Sequence, residues 1–249
     1  MRKTVDILGV NIDSLSMQEA VACVNNFLYE EKIHTVFTPN AEIVMAAHRD
    51  PGLKHILTSA DLVVADGAGV VLASRILGRP VPEKVSGIDL VRNTLKELAG
   101  SRTRYFLLGS RPGVAEDAGG FMEANYPGVE IAGFRDGYFT EAEEEGIIAL
   151  INSTNADILL VALGAPRQEK WIYKYRDRLN VRICMGVGGT LDVLSGKVQP
   201  TPEFLRRNGF EWLYRLYKEP WRAKRMLDLP RFVIHVIRQR LSEIKYSNP

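Results

Sequence analysis

Apolar positions along the chain fall into two patterns that alternate. A short, fully apolar run ends in glycine or a small polar residue, and a stretch with helical spacing follows it. Residues 61–69, DLVVADGAG, show this most plainly: Leu62 to Ala65 run into Asp66, a Gly-x-Gly turn and then VVLASRIL. An apolar run bounded by glycine is the pattern of a buried parallel strand, and the segment after it has the period of a helix. The same scheme recurs in IHTVFTPN (33–40) with a helix from Ala41, and in RYFLLGSRPG (104–113), where Pro112 is expected to open the helix. It recurs again in VEIAGF (129–134), followed by TEAEEEGIIALINS with acids at the helix start, where the dipole favours them. DILLVALGAPRQEKW (157–171) and VRICMGVGGTLDVLSG (181–196) complete at least five strand–turn–helix units.

Ahead of these units, TVDILGVNI (4–12) reads as a strand with a tight turn. The helix SLSMQEAVACVNNFLYEE follows, opened by a Ser16–Glu19 capping box. Pro51 separates two short helical pieces, and Ser86 with Asp89 starts the helix IDLVRNTLKELAG. No solenoid-type repeat is present. Strands alternating with helices predict an α/β fold, a Rossmann-like, mainly parallel sheet with helices on both faces, plus a C-terminal helical appendage.

Residues 201–245 carry the helical periodicity of that appendage. Phe210, Leu213, Leu216 and Tyr217 share one helical face, as do Phe232, Val233, Val236, Ile237 and Leu241. Charge separates this part from the rest: residues 196–249 hold 12 Lys and Arg against 5 Asp and Glu, whereas the remainder holds 20 against 25. The expected division is a core over residues 1–196 and a basic amphipathic appendage over 197–249. Basic helices interleaved with Trp212, Tyr214 and Trp221 suit an anionic membrane surface. A tail docked on its own core or on a second subunit would show the same faces, and a homo-oligomer stays open.

Composition, 46% hydrophobic and 25% charged, is that of a soluble globular protein. Cys23 and Cys184 lack metal-ligand spacing and read as reduced thiols of a cytosolic protein. The N-terminal apolar run is too short for a signal peptide, and no run is long enough to span a bilayer.

The strand ends carry the candidate chemistry: Thr38 and Asn40; Asp66, Gly67 and Gly69; Gly109 and Ser110; Gly164, Pro166 and Gln168; Gly186, Gly188, Gly189 and Asp192. Ligands of open α/β sheets bind beyond the carboxyl ends of the strands, and glycine turns bring N–H groups close to an anion. A phosphate-bearing ligand fits, although α/β turns need glycine in any case. Asp66 is either a group of that crevice or the cap of its helix. Gln168, which donates and accepts, suits a sugar hydroxyl or a uracil edge. No G-x-G-x-x-G, GK[ST], Asp-x-Asp or G-x-S-x-G motif occurs, which argues against NTP hydrolysis, a carboxylate-held metal and an esterase elbow. His34, His48, His55 and His235 lack ligand spacing, so no metal site is expected. No nucleic-acid-binding module is present.

Together, TPN (38–40), ADGAGVV (65–71), VSGIDL (85–90), GAPRQEKW (164–171), GVGGTLDVLSG (186–196) and EWLYRLYKEPWRAKR (211–225) resemble the WecG/TagA/CpsF glycosyltransferases, glycosyltransferase family 26. Within the family the chain looks most like the members that begin the wall teichoic acid linkage unit. The resemblance implies transfer of N-acetylmannosamine from a UDP-sugar donor to the GlcNAc of undecaprenyl-diphosphate-GlcNAc, with inversion and with no metal or other cofactor required. It also implies a peripheral protein at the cytoplasmic membrane face, whose appendage engages the membrane and helps close the site. Lys84 and Met226 depart from the residues usual in the family. On this reading Asp66 is the base and Thr38, Asn40 and Gln168 hold sugar or nucleotide. Gly67, Gly69, Gly109 and Gly188 let substrate approach the backbone, and Arg215, Arg222 and Arg225 neutralise the leaving diphosphate. The alternatives are a related UDP-sugar transferase with a ManNAc-uronate donor, a nucleotide-dependent oxidoreductase or epimerase, and a non-catalytic membrane scaffold.

Overall fold

The computed structural model describes residues 3–207, 211–218 and 228–247. The chain opens on an antiparallel hairpin, β1 (Thr4–Ile7) and β2 (Val10–Asp13), turned by Leu8 and Gly9, both at positive φ. Two residues at positive φ match the twist of the strands they join. Helix α1 (Met17–Phe27) follows with its capping box formed as the sequence indicates: Ser16 Oγ accepts from Glu19 N, and the Glu19 carboxylate accepts from Ser16 N at 2.7 Å. Next come β3 (His34–Phe37), α2 (Ala41–Arg49), α3 (Pro51–Thr58), β4 (Leu62–Val63), α4 (Gly67–Ile76) and α5 (Gly87–Glu97). The second half runs β5 (Arg104–Gly109), α6 (Val114–Asn125), β6 (Glu130–Arg135), α7 (Glu144–Ser153), β7 (Ile158–Ala162), α8 (Arg167–Tyr175), β8 (Ile183–Gly186) and α9 (Thr190–Leu194). Three more helices follow: α10 (Glu203–Arg207), α11 (Glu211–Lys218) and α12 (Asp228–Ser247).

Strands β3 to β8 form one six-stranded parallel sheet in the order β4-β3-β8-β7-β5-β6. Successive strand residues point to opposite faces, so an apolar run buried on both sides feeds two cores. Phe37, Val63, Phe106, Leu108, Leu159, Val161 and Cys184 pack with the hairpin, α2, α3, α4, α7, α8 and α12. Val36, Leu62, Tyr105, Leu107, Ile158, Leu160, Ile183 and Met185 pack with α1, α5, α6 and α9.

Two elements differ in detail from the pattern reading. Helix α6 begins at Val114, after Gly113 at φ 81°, so Pro112 lies in the preceding turn and does not start the helix. Strand β4 pairs over only two residues although its apolar run is longer. Beyond it Val64 bridges to Asp13, whose buried carboxylate accepts from Val63 N at 2.7 Å. The hairpin thus covers the β4 edge of the sheet.

Helix α12, from the expected appendage, packs against α2 and α4, and its Phe232 and Val236 are buried in the same cluster as the hairpin. Polar contacts fix its position. Arg49 at the end of α2 forms a bidentate pair with Asp228 (2.8 and 2.7 Å). Gln239 accepts from Leu8 N at 2.9 Å and donates to Asp6 O at 3.0 Å. Ile237 and Leu241, assigned to the same helical face as Phe232, instead lie exposed with Ile234 and Ile244, as do Trp212, Leu213 and Tyr217 on α11. Among the described residues no helix is long and apolar enough to cross a membrane.

Candidate active site

Strands β3 and β8 are neighbours, yet α2 after β3 packs on one face of the sheet and α9 after β8 on the other. Helices that part in this way leave a crevice outside the carboxyl ends of their strands. The turn after β3 carries Thr38 and Asn40, and the turn after β4 carries Asp66. One hydrogen bond joins the two turns to each other, and two more tie the second turn to the start of α5 and the residues before it. Asp66 N donates to Pro39 O at 3.3 Å, Val85 N donates to Ala65 O at 2.9 Å, and Gly87 N donates to Asp66 Oδ2 at 3.4 Å. A Cβ at Gly87 would lie 2.9 Å from Thr38 Oγ1, so Thr38 sits against the same segment.

Asp66 occupies the N-cap position of α4 but makes no side-chain cap hydrogen bond, and its carboxyl is half-buried. The capping explanation is therefore not met. Asn40 does cap its helix: Oδ1 accepts from Ile43 N at 3.0 Å. Lys84, one residue before Val85, is half-buried in this segment. In the sequence Lys84 stands out only as a departure from the family pattern, and the signal for its place is its position in the turn-rich stretch GRPVPEKVSG.

The glycines divide. Gly67, at φ 84°, and Gly188, at φ 51°, need their conformation, and nothing lies within 4 Å of a Cβ placed at Gly188. Gly109 and Gly69 have reasons inside the fold. A Cβ at Gly109 would lie 2.5 Å from the Ala162 carbonyl, and one at Gly69 would lie 3.1 Å from Ala41 Cβ. Their lack of a side chain is accounted for by packing.

Gln168, expected to hold sugar or nucleotide, has its amide engaged within the fold. It is only 4% exposed, its Oε1 accepts from Gly188 N at 3.0 Å, and its Nε2 donates to Glu169 Oε1 at 2.9 Å. It therefore holds the turn after β8 in place. Glu169, equally buried, has an Oε2 without a partner, and burial holds its carboxyl above the usual carboxylate range. On the next turns, Ser110 Oγ donates to Asp192 Oδ1 at 2.9 Å, and Arg111 lies 3.8 Å from the same oxygen. That pair joins the turns after β5 and β8.

Among the described residues no group of three His, Cys, Asp or Glu side chains is placed to hold a metal. The histidines serve elsewhere: His34 stacks on Phe27, His55 meets Tyr173, and His48 faces His235. Arg215 falls within α11, its side chain outside the described ones, and Arg222 and Arg225 lie outside the described residues. A polar groove of about 710 Å³, lined by Lys32, Asp61, Asp157 and Arg182, lies at the opposite, amino end of the sheet.

The model of the Glycosyl transferase WecG/TagA/CpsF family matches residues 5–246. The chain belongs to this family. A relative from Bacillus spizizenii, an N-acetylglucosaminyldiphosphoundecaprenol N-acetyl-beta-D-mannosaminyltransferase, is 35% identical over 219 residues, covering 88% of this chain and 84% of its own length. Proteins of the same name from Bacillus subtilis and Staphylococcus aureus are 35% and 32% identical, covering 84% and 93% of this chain and 82% and 91% of their own lengths. In this WecG/TagA/CpsF member the motifs that carry the likeness coincide with the crevice: TPN, ADGAG and VSG supply the three segments that meet at Asp66.

Proposed function

We propose that the chain transfers N-acetylmannosamine from UDP-N-acetylmannosamine to the GlcNAc of undecaprenyl-diphosphate-GlcNAc, in assembly of the teichoic acid linkage unit. The relatives' common activity supports the substrates. The observation that carries the chemistry is Asp66, a half-buried carboxylate at a strand end that does not cap its own helix.

In the reaction, Asp66 takes the proton of the acceptor hydroxyl as its oxygen attacks the anomeric carbon of the donor. The bond from that carbon to the diphosphate oxygen breaks, UDP leaves, and the configuration inverts. A carboxylate is ionised at neutral pH, and a positioned base contributes about 10² to 10⁴ in rate. Thr38 and the Nδ2 of Asn40 hold substrate beside it, while Gln168 acts by fixing the Gly188 turn.

Charge developing on the diphosphate needs fixed cations. Lys84 supplies one from the segment tied to Asp66. Arg215, Arg222 and Arg225 supply others, since guanidinium groups bind phosphate oxygens bidentately. Chain length permits it. Asp228 is anchored to Arg49, at the far end of a helix about 14 Å long whose cap is Asn40. Six residues of extended chain from Asp228 to Arg222 span about 20 Å. On this reading the reaction needs no metal. The exposed residues of α11 and α12, with the basic residues among them, form the contact with an anionic membrane surface, which places the enzyme peripherally on the cytoplasmic face.

The test is UDP release from a panel of UDP-sugars in the presence of a lipid-diphosphate-GlcNAc analogue. UDP-N-acetylmannosamine is expected to give turnover dependent on the acceptor. Faster release from another UDP-sugar, a ManNAc-uronate donor among them, would reassign the substrate, and a bound nicotinamide would place the chain in oxidoreductase chemistry.

A further inference from the structure

We propose that Phe232, on the last helix, is a positioning residue for the active site. Its ring sets how the starts of α2 and α4, and with them Asn40 and Asp66, stand to each other. The inference rests on the assignment of Asp66 as base.

The geometry is local. Asn40 and Asp66 are the N-cap residues of α2 and α4. Ala41 is the first residue of α2, and Gly69 lies three residues beyond Asp66. The two helices approach so closely there that a Cβ at Gly69 would lie 3.1 Å from Ala41 Cβ, and the same point is 4.0 Å from Phe232 Cε1. Phe232 is 1% exposed. Its ring therefore lies against the first turn of α4 at the point where that turn meets α2.

The ring is not free to move away. One turn before it Asp228 is paired with Arg49 at the end of α2, and two turns after it Gln239 is bonded to the hairpin. Arg240 lies against Gly78 at the end of α4, its Nη2 3.2 Å from where a Cβ would be. Helix α12 is thus pinned to the far ends of the same two helices whose near ends Phe232 spaces. Truncating the ring leaves room for the first turn of α4 to shift, and a misplacement of about 1 Å costs on the order of 10²-fold in rate.

Val236 provides the matched control. It is one turn farther along α12, 0% exposed and in the same hydrophobic cluster, but it is not the residue that meets Gly69. Kinetics of UDP release and thermal melts of Phe232→Ala, Phe232→Leu and Val236→Ala separate positioning from packing. The expected result is that kcat falls about 10²-fold in Phe232→Ala, with the donor KM changed less than threefold. Phe232→Leu is expected to recover most of kcat, and Val236→Ala to keep wild-type kcat despite a lowered melting temperature. Equal kcat losses in Phe232→Ala and Val236→Ala, or wild-type kcat in Phe232→Ala, would overturn the proposal. Should Phe232→Ala not fold, Phe232→Val takes its place beside Val236→Ala: a kcat loss in Phe232→Val alone supports the proposal, and equal kcat values in the two refute it. Near-normal turnover in Asp66→Asn would remove the base assignment and this inference with it, whereas an inactive Asp66→Asn beside matched Phe232 and Val236 variants would remove this inference alone.

Discussion

Asn40 and Asp66 occupy the same place in successive strand-to-helix turns, and only Asn40 uses its side chain to cap the helix that follows. Asp66 is left with its carboxylate beside the Gly87 N–H at 3.4 Å. Asp66→Asn keeps the size and removes the charge, so turnover is expected to fall by about 10² to 10⁴. The melting temperature and UDP-sugar affinity should stay near wild type. UDP-release rates and a binding titration check this.

Asn40→Ala removes the cap of α2 and, on the proposed reading, the amide that holds substrate. Loss of such a cap costs about 1 kcal/mol. The variant is expected to show that loss in a denaturant titration together with a raised donor KM. A KM effect without a stability effect would mean that the Ile43 N–H finds another acceptor.

Glu169 sets a pH dependence. A carboxyl held by burial above its usual range binds its proton more tightly in the folded state than in the unfolded one. Stability is therefore fullest below the unfolded value, near about 4.3, and declines as pH rises from there through the raised folded value. Glu169→Gln keeps an acceptor for Gln168 Nε2 and removes the titration. It is expected to flatten stability against pH across that window, measured by melts from acid to neutral pH.

Truncation after Gly196 removes Arg215, Arg222 and Arg225 and also uncovers α2, α4 and the hairpin. A division into core and appendage at residue 196 would leave a folded core. The burial of Phe232 and Val236 predicts instead a core that has lost stability, by about 1.5–3 kcal/mol for each large apolar side chain removed. The truncated protein is expected to be inactive, to melt earlier and to lose binding to anionic vesicles. Wild-type activity would exclude the C-terminal segment from the reaction.

Chelation by EDTA is expected to leave the full-length rate unchanged, because on the proposed reading Lys84 and the arginines neutralise the diphosphate in place of a metal. A large loss restored by a divalent cation would refute that assignment.

The sheet was legible because strands buried on both faces leave uninterrupted apolar runs, as in residues 158–162, and every such run became a parallel strand. Asp66 was legible as a polar residue at a strand end, but whether it caps α4 depends on the rotation of its side chain. Gln168 illustrates the limit. Its residue type suits a ligand, while its partners, Gly188 and Glu169, are set by how β8 and α8 pack. The apolar face of α12 has the same period whether it meets a membrane or a neighbouring helix, so only the fold distinguishes buried Phe232 from exposed Leu241.

Gln239 grips the first hairpin across a separation of 231 residues. During synthesis the hairpin, α2 and α4 emerge well before the helix that covers them. At ordinary translation speeds the interval for the hairpin is roughly 12 to 46 seconds, in which its apolar surface stands uncovered. On the proposed reading, the first turns that carry Asn40 and Asp66 take up their final spacing only once that helix has docked.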